Sequence, residues 1–168
     1  MADPVVEVET NFGTFVITLD PAKAPGTVEN FLSYVDGKHY EGTIFHRIIK
    51  TFMIQGGGYD QQYEKKPVRA PIKNEADNGL KNGRGTVAMA RTGDPHSATA
   101  QFFVNVVDNK FLDHTSKNEQ GWGYTVFGKV TEGMEVVDKI KDVETGSNGP
   151  FAKDCPEDPV VIRHIRRK

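Results

Sequence analysis

Glycine and proline interrupt this chain at short intervals: 17 glycines and 9 prolines, 26 of 168 residues. Short strands joined by turns are what such punctuation predicts, and the N-terminal region shows the pattern most clearly. Val6 and Val8 alternate with Glu7 and Glu9, Asn11-Phe12-Gly13 supplies turn chemistry, and Phe15, Ile17 and Leu19 then alternate with Thr14 and Thr18. A period of two repeated across a tight turn specifies an antiparallel hairpin with one buried face.

A chain of 168 residues suits one domain around one core, so residues 1–168 are read as a single unit. With 37% hydrophobic and 26% charged residues, and no apolar run near the ~20 residues of a membrane helix, a soluble globular chain is expected. Lys+Arg 21 against Asp+Glu 23 gives a net charge of -2, which offers no global field for nucleic acid or an anionic membrane. The single cysteine, Cys155, rules out an intramolecular disulfide framework. Met1-Ala2-Asp3-Pro4 opens no basic and apolar leader, which favours the cytoplasm; a mature periplasmic form with its signal removed would read the same.

At Pro25 the period changes. Val28, Phe31, Leu32 and Val35 fall at i, i+3, i+4 and i+7, predicting a helix over Pro25 to Asp36 with proline in its first turn and Gly37 at its exit. Thr43 to Gly58 returns to strand composition, read as two strands with a turn near Lys50; its closing Gly56-Gly57-Gly58 is too loose a signal for a phosphate loop. Residues Pro67 to Asn82 read as a long surface connection. Strands follow at Gly85 to Ala90, Ala100 to Val107 and Tyr124 to Val130, with a polar loop at His114 to Gly123. Met134, Val137 and Ile140 predict a second, two-turn helix after Gly133 ending near Lys141. Gly146, Gly149, Pro150 and Pro156 mark a loop before a last strand, Val160 to Ile165.

Motifs for covalent, nucleotide or metal chemistry are missing: there is no G-x-S-x-G, H-E-x-x-H, Walker loop or cysteine pair. His39, His46, His96, His114 and His164 lack ligand spacing. Two strands nevertheless break the inside-outside rule. Alternation puts Phe102, Val104 and Val106 on one face and Gln101, Phe103 and Asn105 on the other. Phe103 is therefore either covered by a loop or helix, or it faces a ligand. Met53 and Gln55 share a face opposite Phe52 and Ile54, and Arg47 stands in an apolar strand, either on a solvent-facing exterior or at a site.

Phe45-His46-Arg47-Ile48-Ile49 followed by Phe52-Met53-Ile54-Gln55-Gly56-Gly57 resembles the signature of cyclophilins, the cyclosporin-binding peptidyl-prolyl cis-trans isomerases. Gln101-Phe102-Phe103 and Val126-Phe127-Gly128-Lys129-Val130 resemble two further family blocks in the same order, and Asn74-Glu75-Ala76-Asp77-Asn78-Gly79-Leu80 is similar to the bacterial branch. The resemblance spans nearly the whole chain. It implies a mainly β fold, a closed eight-stranded antiparallel barrel capped by two helices, and acceleration of rotation about X-Pro bonds in protein folding without metal or cofactor. It also implies catalytic roles for Arg47, Phe52 and Gln55. Substrate contacts fall to Met53, Ala90, Arg91, Gln101, Phe103, Phe111, Leu112 and Tyr124.

The best-known eukaryotic pattern has Asn at the position of Arg91, Trp at Phe111 and His at Tyr124. These departures bear on drug affinity and sequence preference more than on catalysis. Trp122, ten residues beyond Leu112, does not replace the missing Trp and is assigned to packing. The implied partners are proline-containing peptides and unfolded or flexible protein segments, with cyclosporin bound weakly and the protein a monomer. Two other readings are a proline-peptide binding module or chaperone whose turnover is incidental, and a barrel that carries a small molecule.

Overall fold

Alternating burial builds the first hairpin, as expected. The computed structural model describes residues 3–168. In it β1 (Val5–Thr10) buries Val6, Val8 and Thr10, and β2 (Gly13–Leu19) buries Phe15, Ile17 and Leu19. The helix α1 (Pro25–Asp36) has the bounds its periodicity predicts and buries Val28, Phe31, Leu32 and Val35. Its exit differs in detail: Gly37 keeps a negative φ, and Lys38 takes the left-handed turn at φ 59°. The remaining strands of the main sheet are β3 (Thr43–Ile44), β4 (Arg47–Ile49), β5 (Met53–Gly56), β6 (Thr86–Met89), β7 (Phe102–Asn105) and β8 (Val126–Glu132). After β8 the chain forms α2 (Met134–Lys141), β9 (Thr145–Asn148), β10 (Phe151–Pro156) and β11 (Val161–Arg167).

The main sheet has nine antiparallel strands in the order β3-β11-β1-β2-β8-β6-β7-β5-β4. Its two edge strands, β3 and β4, are consecutive in the chain and separated only by Phe45 and His46. A sheet whose edges are tied by two residues has to curl until those edges meet. The barrel-like form is thus closed by this link together with backbone bonds from β3 to the segment after β5, Ile44 N–H to the Tyr59 carbonyl at 3.0 Å and Gly57 N–H to the Ile44 carbonyl at 3.4 Å, where eight strands joined by a continuous ladder were expected. The predicted loop after α2 also proves to contain the β9–β10 ribbon, a separate two-stranded sheet, with β10 packed over β4.

One large apolar cluster fills the interior. Phe31 of α1 meets Tyr40, Phe102 and Phe127 at ring distances of 5.3, 5.7 and 5.1 Å, and the Tyr40 hydroxyl donates to the Ala100 carbonyl at 2.7 Å. From α2, Val136, Val137 and Ile140 join the same cluster. Full burial of side chains of this size is worth ~1.5–3 kcal/mol each, so the aromatic centre outweighs the surface ion pairs. Cys155 lies buried in β10, where burial pushes its thiol pKa up.

The N-terminus of α1 is satisfied from far away in sequence. Ala24 offers no capping side chain and the first turn has no acid. Instead the Glu75 carboxylate accepts from the backbone N–H and hydroxyl of Thr27, both at 2.7 Å, and from the Gly26 N–H at 3.3 Å. It meets orphan donors and the positive end of the helix dipole together. Glu75→Ala should therefore lower stability by about 1–2 kcal/mol, with Glu75→Gln in between, read from urea unfolding midpoints at constant m.

The β3–β4 link is plugged by His46. Its ring lies 4.8 Å from that of Tyr59 and 5.0 Å from that of Phe151 on β10, and its Nδ1 has no hydrogen-bond partner among the described residues. Burial, assisted by the neighbouring Arg47 charge, lowers its pKa to about 4. The unfolded chain takes up this proton near pH 6.5 and the folded chain near 4, so the unfolded state binds more protons between them. Stability should fall as pH drops through that window, by about 3 kcal/mol from this residue. Unfolding curves from pH 7 to 4 should show this loss in the native protein, and a His46→Phe protein should lack that part of it.

Candidate active site

Strand register puts the chemistry in a row. Arg47 of β4 faces Gln55 of β5, Gln55 faces Phe103 of β7, and Phe103 faces Ala88 of β6. Because side chains alternate across a strand, all four project from one face, while Ile48, Ile54, Val104 and Val87 project into the barrel. A second, smaller apolar cluster sits on the outward face: Met53, Ala88, Phe103, Leu112 and Val126, with Phe52, Ala90 and Tyr124 packed against it. The two readings of Phe103 merge here. It is 4% exposed, covered by neighbours, and still lines a cavity.

That cavity has a volume of about 130 Å³ and is lined by Arg47, Phe52, Met53, Gln55, Ala90, Arg91, Phe103, Leu112 and Tyr124. A void of ~150 Å³ admits a benzene ring, so a five-membered ring is of the right size. Loops complete what the strands begin. Phe52 comes from the β4–β5 turn, where its N–H donates to the Ile49 carbonyl at 2.9 Å. Leu112 comes from a 3₁₀ turn, Lys110–Leu112, and Tyr124 precedes β8. Ala90 and Arg91 continue β6, with the Ala90 N–H donating to the Gln101 carbonyl at 3.0 Å.

Two of the sequence-predicted residues lie beside this cavity instead of in its wall. Gln101 lines a neighbouring cavity of about 370 Å³, which shares Gln55, Ala90 and Arg91 with the first. Phe111 is 74% exposed and stands at the rim, its ring 5.5 Å from that of Phe52. Trp122 is buried between the rings of His96 and His114, each at 5.0 Å.

Polar contacts orient the row. Gln55 Nε2 donates to Gln101 Oε1 at 3.0 Å, and Arg47 Nη1 donates to Gln55 Oε1 at 3.5 Å. Gln101 thus turns the Gln55 amide so that its oxygen faces the guanidinium. Close packing requires glycine in the Gly56-Gly57-Gly58 run. A Cβ at Gly56 would stand 2.6 Å from the Ile44 carbonyl oxygen, and one at Gly58 would overlap the Gln101 side chain. The Arg91 guanidinium lies 4.5 Å over the Tyr124 ring and donates from Nε to the Gly123 carbonyl at 3.0 Å.

Sequence reasoning missed the asparagines that hold the loops. Buried Asn105 donates to Asn82 Oδ1 at 3.1 Å and to Thr86 Oγ1 at 3.0 Å, and its own Oδ1 accepts from Asn109 at 2.8 Å. Asn109 also donates to the Phe52 carbonyl at 3.0 Å, and Asn82 to the Leu112 and Tyr124 carbonyls at 3.2 and 3.3 Å. Three backbones carrying cavity residues are therefore pinned by one buried network. The signal was Asn105 two residues beyond Phe103 on the outward face, where a short amide reads equally as solvated.

Known proteins resemble this chain over nearly its whole length. The family model described as cyclophilin type peptidyl-prolyl cis-trans isomerase matches residues 5–167. The chain is 62% identical to peptidyl-prolyl cis-trans isomerase cyp18 of Streptomyces antibioticus, covering 96% of both chains. It is 55% identical to peptidyl-prolyl cis-trans isomerase B of Escherichia coli K12, covering 96% of this chain and 98% of that one. The crystal structure of a cyclophilin type peptidyl-prolyl cis-trans isomerase from Cryptosporidium parvum superposes with a TM-score of 0.77 at 25% identity, over 99% of this chain and 98% of that chain. That protein was also solved in the presence of the dipeptide Ala-Pro, with a TM-score of 0.76. With the motif blocks, the outward row and a family match from the first strand to the last in accord, this chain belongs to the cyclophilin-type peptidyl-prolyl cis-trans isomerases.

Proposed function

We propose that the protein accelerates cis-trans rotation about X-Pro bonds in flexible protein segments, with the prolyl ring seated in the smaller cavity. The observation that carries this reading is the juxtaposition of the Arg47 guanidinium with a ring-sized apolar wall formed by Phe52, Met53, Phe103 and Leu112. The reaction makes and breaks no covalent bond. Its barrier, ~18–20 kcal/mol, is the loss of amide resonance, and even a 10⁵-fold acceleration takes only about 7 kcal/mol.

Apolar contacts hold the pyrrolidine ring while the carbonyl side of the bond turns. As the amide twists, its nitrogen becomes pyramidal and regains a lone pair, and the charge separation of the planar form is lost. Arg47 donates to that nitrogen or holds the prolyl carbonyl, and a donor fixed in advance acts without reorganisation. Gln55 aims Arg47 and is itself aimed by Gln101. The low-polarity wall withdraws solvent that favours the planar, charge-separated amide. An extended peptide pairs with main-chain groups at Ala90 and Arg91. The protein acts as a monomer, consistent with exposed large apolar residues limited to Val68, Val107 and Phe111 among the described residues.

Arg47 is exposed on a short edge strand, so its removal leaves the core untouched. Arg47→Ala should lower kcat/KM on an X-Pro peptide at least tenfold, about 1.4 kcal/mol of transition-state stabilisation, with Tm unchanged. Arg47→Lys should recover little, because an ammonium lacks the planar fork. A folded Arg47→Ala protein that retains full turnover while still binding peptide would replace catalysis by ring capture as the site's role.

Cyclosporin binds weakly on this reading. In the family a Trp indole N–H donates at the pocket mouth, and Phe111 offers no donor there. The lost neutral hydrogen bond is worth ~0.5–1.5 kcal/mol, rising to ~3 kcal/mol if a drug carbonyl is left buried without a partner. Phe111→Trp should tighten cyclosporin binding by at least part of that amount, measured by calorimetry, with little change in peptide isomerisation.

A further inference from the structure

We propose that the larger cavity beside the proline site selects an acidic side chain in the substrate peptide, with Lys65 and Arg91 as the recognising cations; this rests on the prolyl-peptide reading above. The two cavities share Gln55, Ala90 and Arg91 as a common wall. A peptide in extended form advances ~3.3 Å per residue and sends alternate side chains to opposite faces. A side chain within a few residues of the seated proline therefore enters the larger cavity.

The chemistry of that cavity is one-sided. Among the described residues Lys65 and Arg91 are its only charged lining residues; Thr92, Ser97, Thr99 and Gln101 supply neutral polar groups, and no carboxylate among them lines either cavity. Neither cation belongs to an ion pair among the described residues. Arg91 is oriented but not neutralised. Its Nε donates to the Gly123 carbonyl and its Nη1 to the Thr92 carbonyl at 2.8 Å, while Nη2 has no partner among the described residues. The acids closest in sequence, Asp60, Glu64 and Asp94, stay outside the lining of both cavities. Asp60 accepts from the N–H groups of Gln62 and Glu64, Asp94 accepts from that of His96, and Glu64 lines neither cavity. Two cations in a concave lining that holds no carboxylate among the described residues make the cavity locally positive, on a chain whose net charge is -2.

The test uses the full chain and neutral peptides with one central proline, carrying Glu, Gln or Lys in turn at each of three positions on either side. Exchange spectroscopy reads the catalysed isomerisation, and calorimetry reads binding of the same peptides. At one or two positions Glu should exceed Gln by about two- to fivefold in kcat/KM at low salt, and Lys should fall below Gln. The ratio should shrink toward unity at about 0.5 M salt. Lys65→Glu should invert it, and because each ratio is taken within one protein, a general change in activity cancels. Equal rates for Glu and Gln at every position, or a ratio that Lys65→Glu leaves unmoved, would overturn the proposal. Absence of turnover on every peptide would instead sink the isomerase reading, and the Glu-to-Gln affinity ratio would still decide the selection.

Discussion

Strands β5 and β7 are buried on both faces, and this constraint organises the rest of the molecule. Ile54, Phe102 and Val104 enter the barrel core, while Met53 and Phe103 on the opposite face form the floor of the cavity. One pleat supplies both. A slip of one residue in the β5–β7 pairing would send Phe103 inward and Val104 outward, destroying core and site together. The register that holds the barrel is thereby the register that sets Arg47, Gln55 and Phe103 in line.

A site assembled this way needs support where strands end and loops begin. Backbone carbonyls at Phe52, Leu112 and Tyr124 all accept from asparagine side chains, which replaces solvent as the partner of irregular backbone. Asn74 extends the same logic on the other flank, donating to the Pro95 and Gly123 carbonyls and accepting from Ala76 N–H and Thr125 hydroxyl. Next to it, Glu75 caps α1. The run that marks the bacterial branch thus ties a long connection both to the helix and to the loop behind Tyr124, so rigidity of the site is tied to structural hydrogen bonds.

Periodicity made the elements with one uniform environment legible. Val6 and Val8 fixed β1, and Val28, Phe31, Leu32 and Val35 fixed α1, because each set repeats one contact along one face. The β9–β10 ribbon escaped because Gly146, Gly149 and Pro150 lie in or beside it, and its residues carry no apolar alternation; it is held by covering His46 and Tyr59 with Phe151. The ninth strand escaped for a related reason. Thr43–Ile44 is too short to show a period, and Phe45-His46 reads as continuous with β4. At the site, residues defined by side-chain type could be read from the motif blocks, whereas Glu75, Asn82 and Asn109 act through partners 23 to 57 residues away, which no local pattern encodes. The resemblance makes Phe111 a substrate contact, but chain position does not fix how far a ring on a 3₁₀ turn leans outward.

Although one register serves core and site, the outward side chains that border the site can vary without entering the core. Arg91 and Tyr124 both depart from the eukaryotic pattern, and in space the two departures are one feature: the guanidinium stacks 4.5 Å over the phenol ring. A cation over an aromatic face is worth ~0.5–1 kcal/mol at an exposed site, so each residue stabilises the rotamer of the other. Asn and His at these positions would offer no such stack, and changing one alone would leave the other without its support. Tyr124 in turn meets Phe103 edge to face at 5.7 Å. The pair consequently links the charged wall of the larger cavity to the ring that floors the smaller one. An exchange of both residues can alter charge and shape at the groove while Phe102, Val104 and the rest of the interior remain as they are.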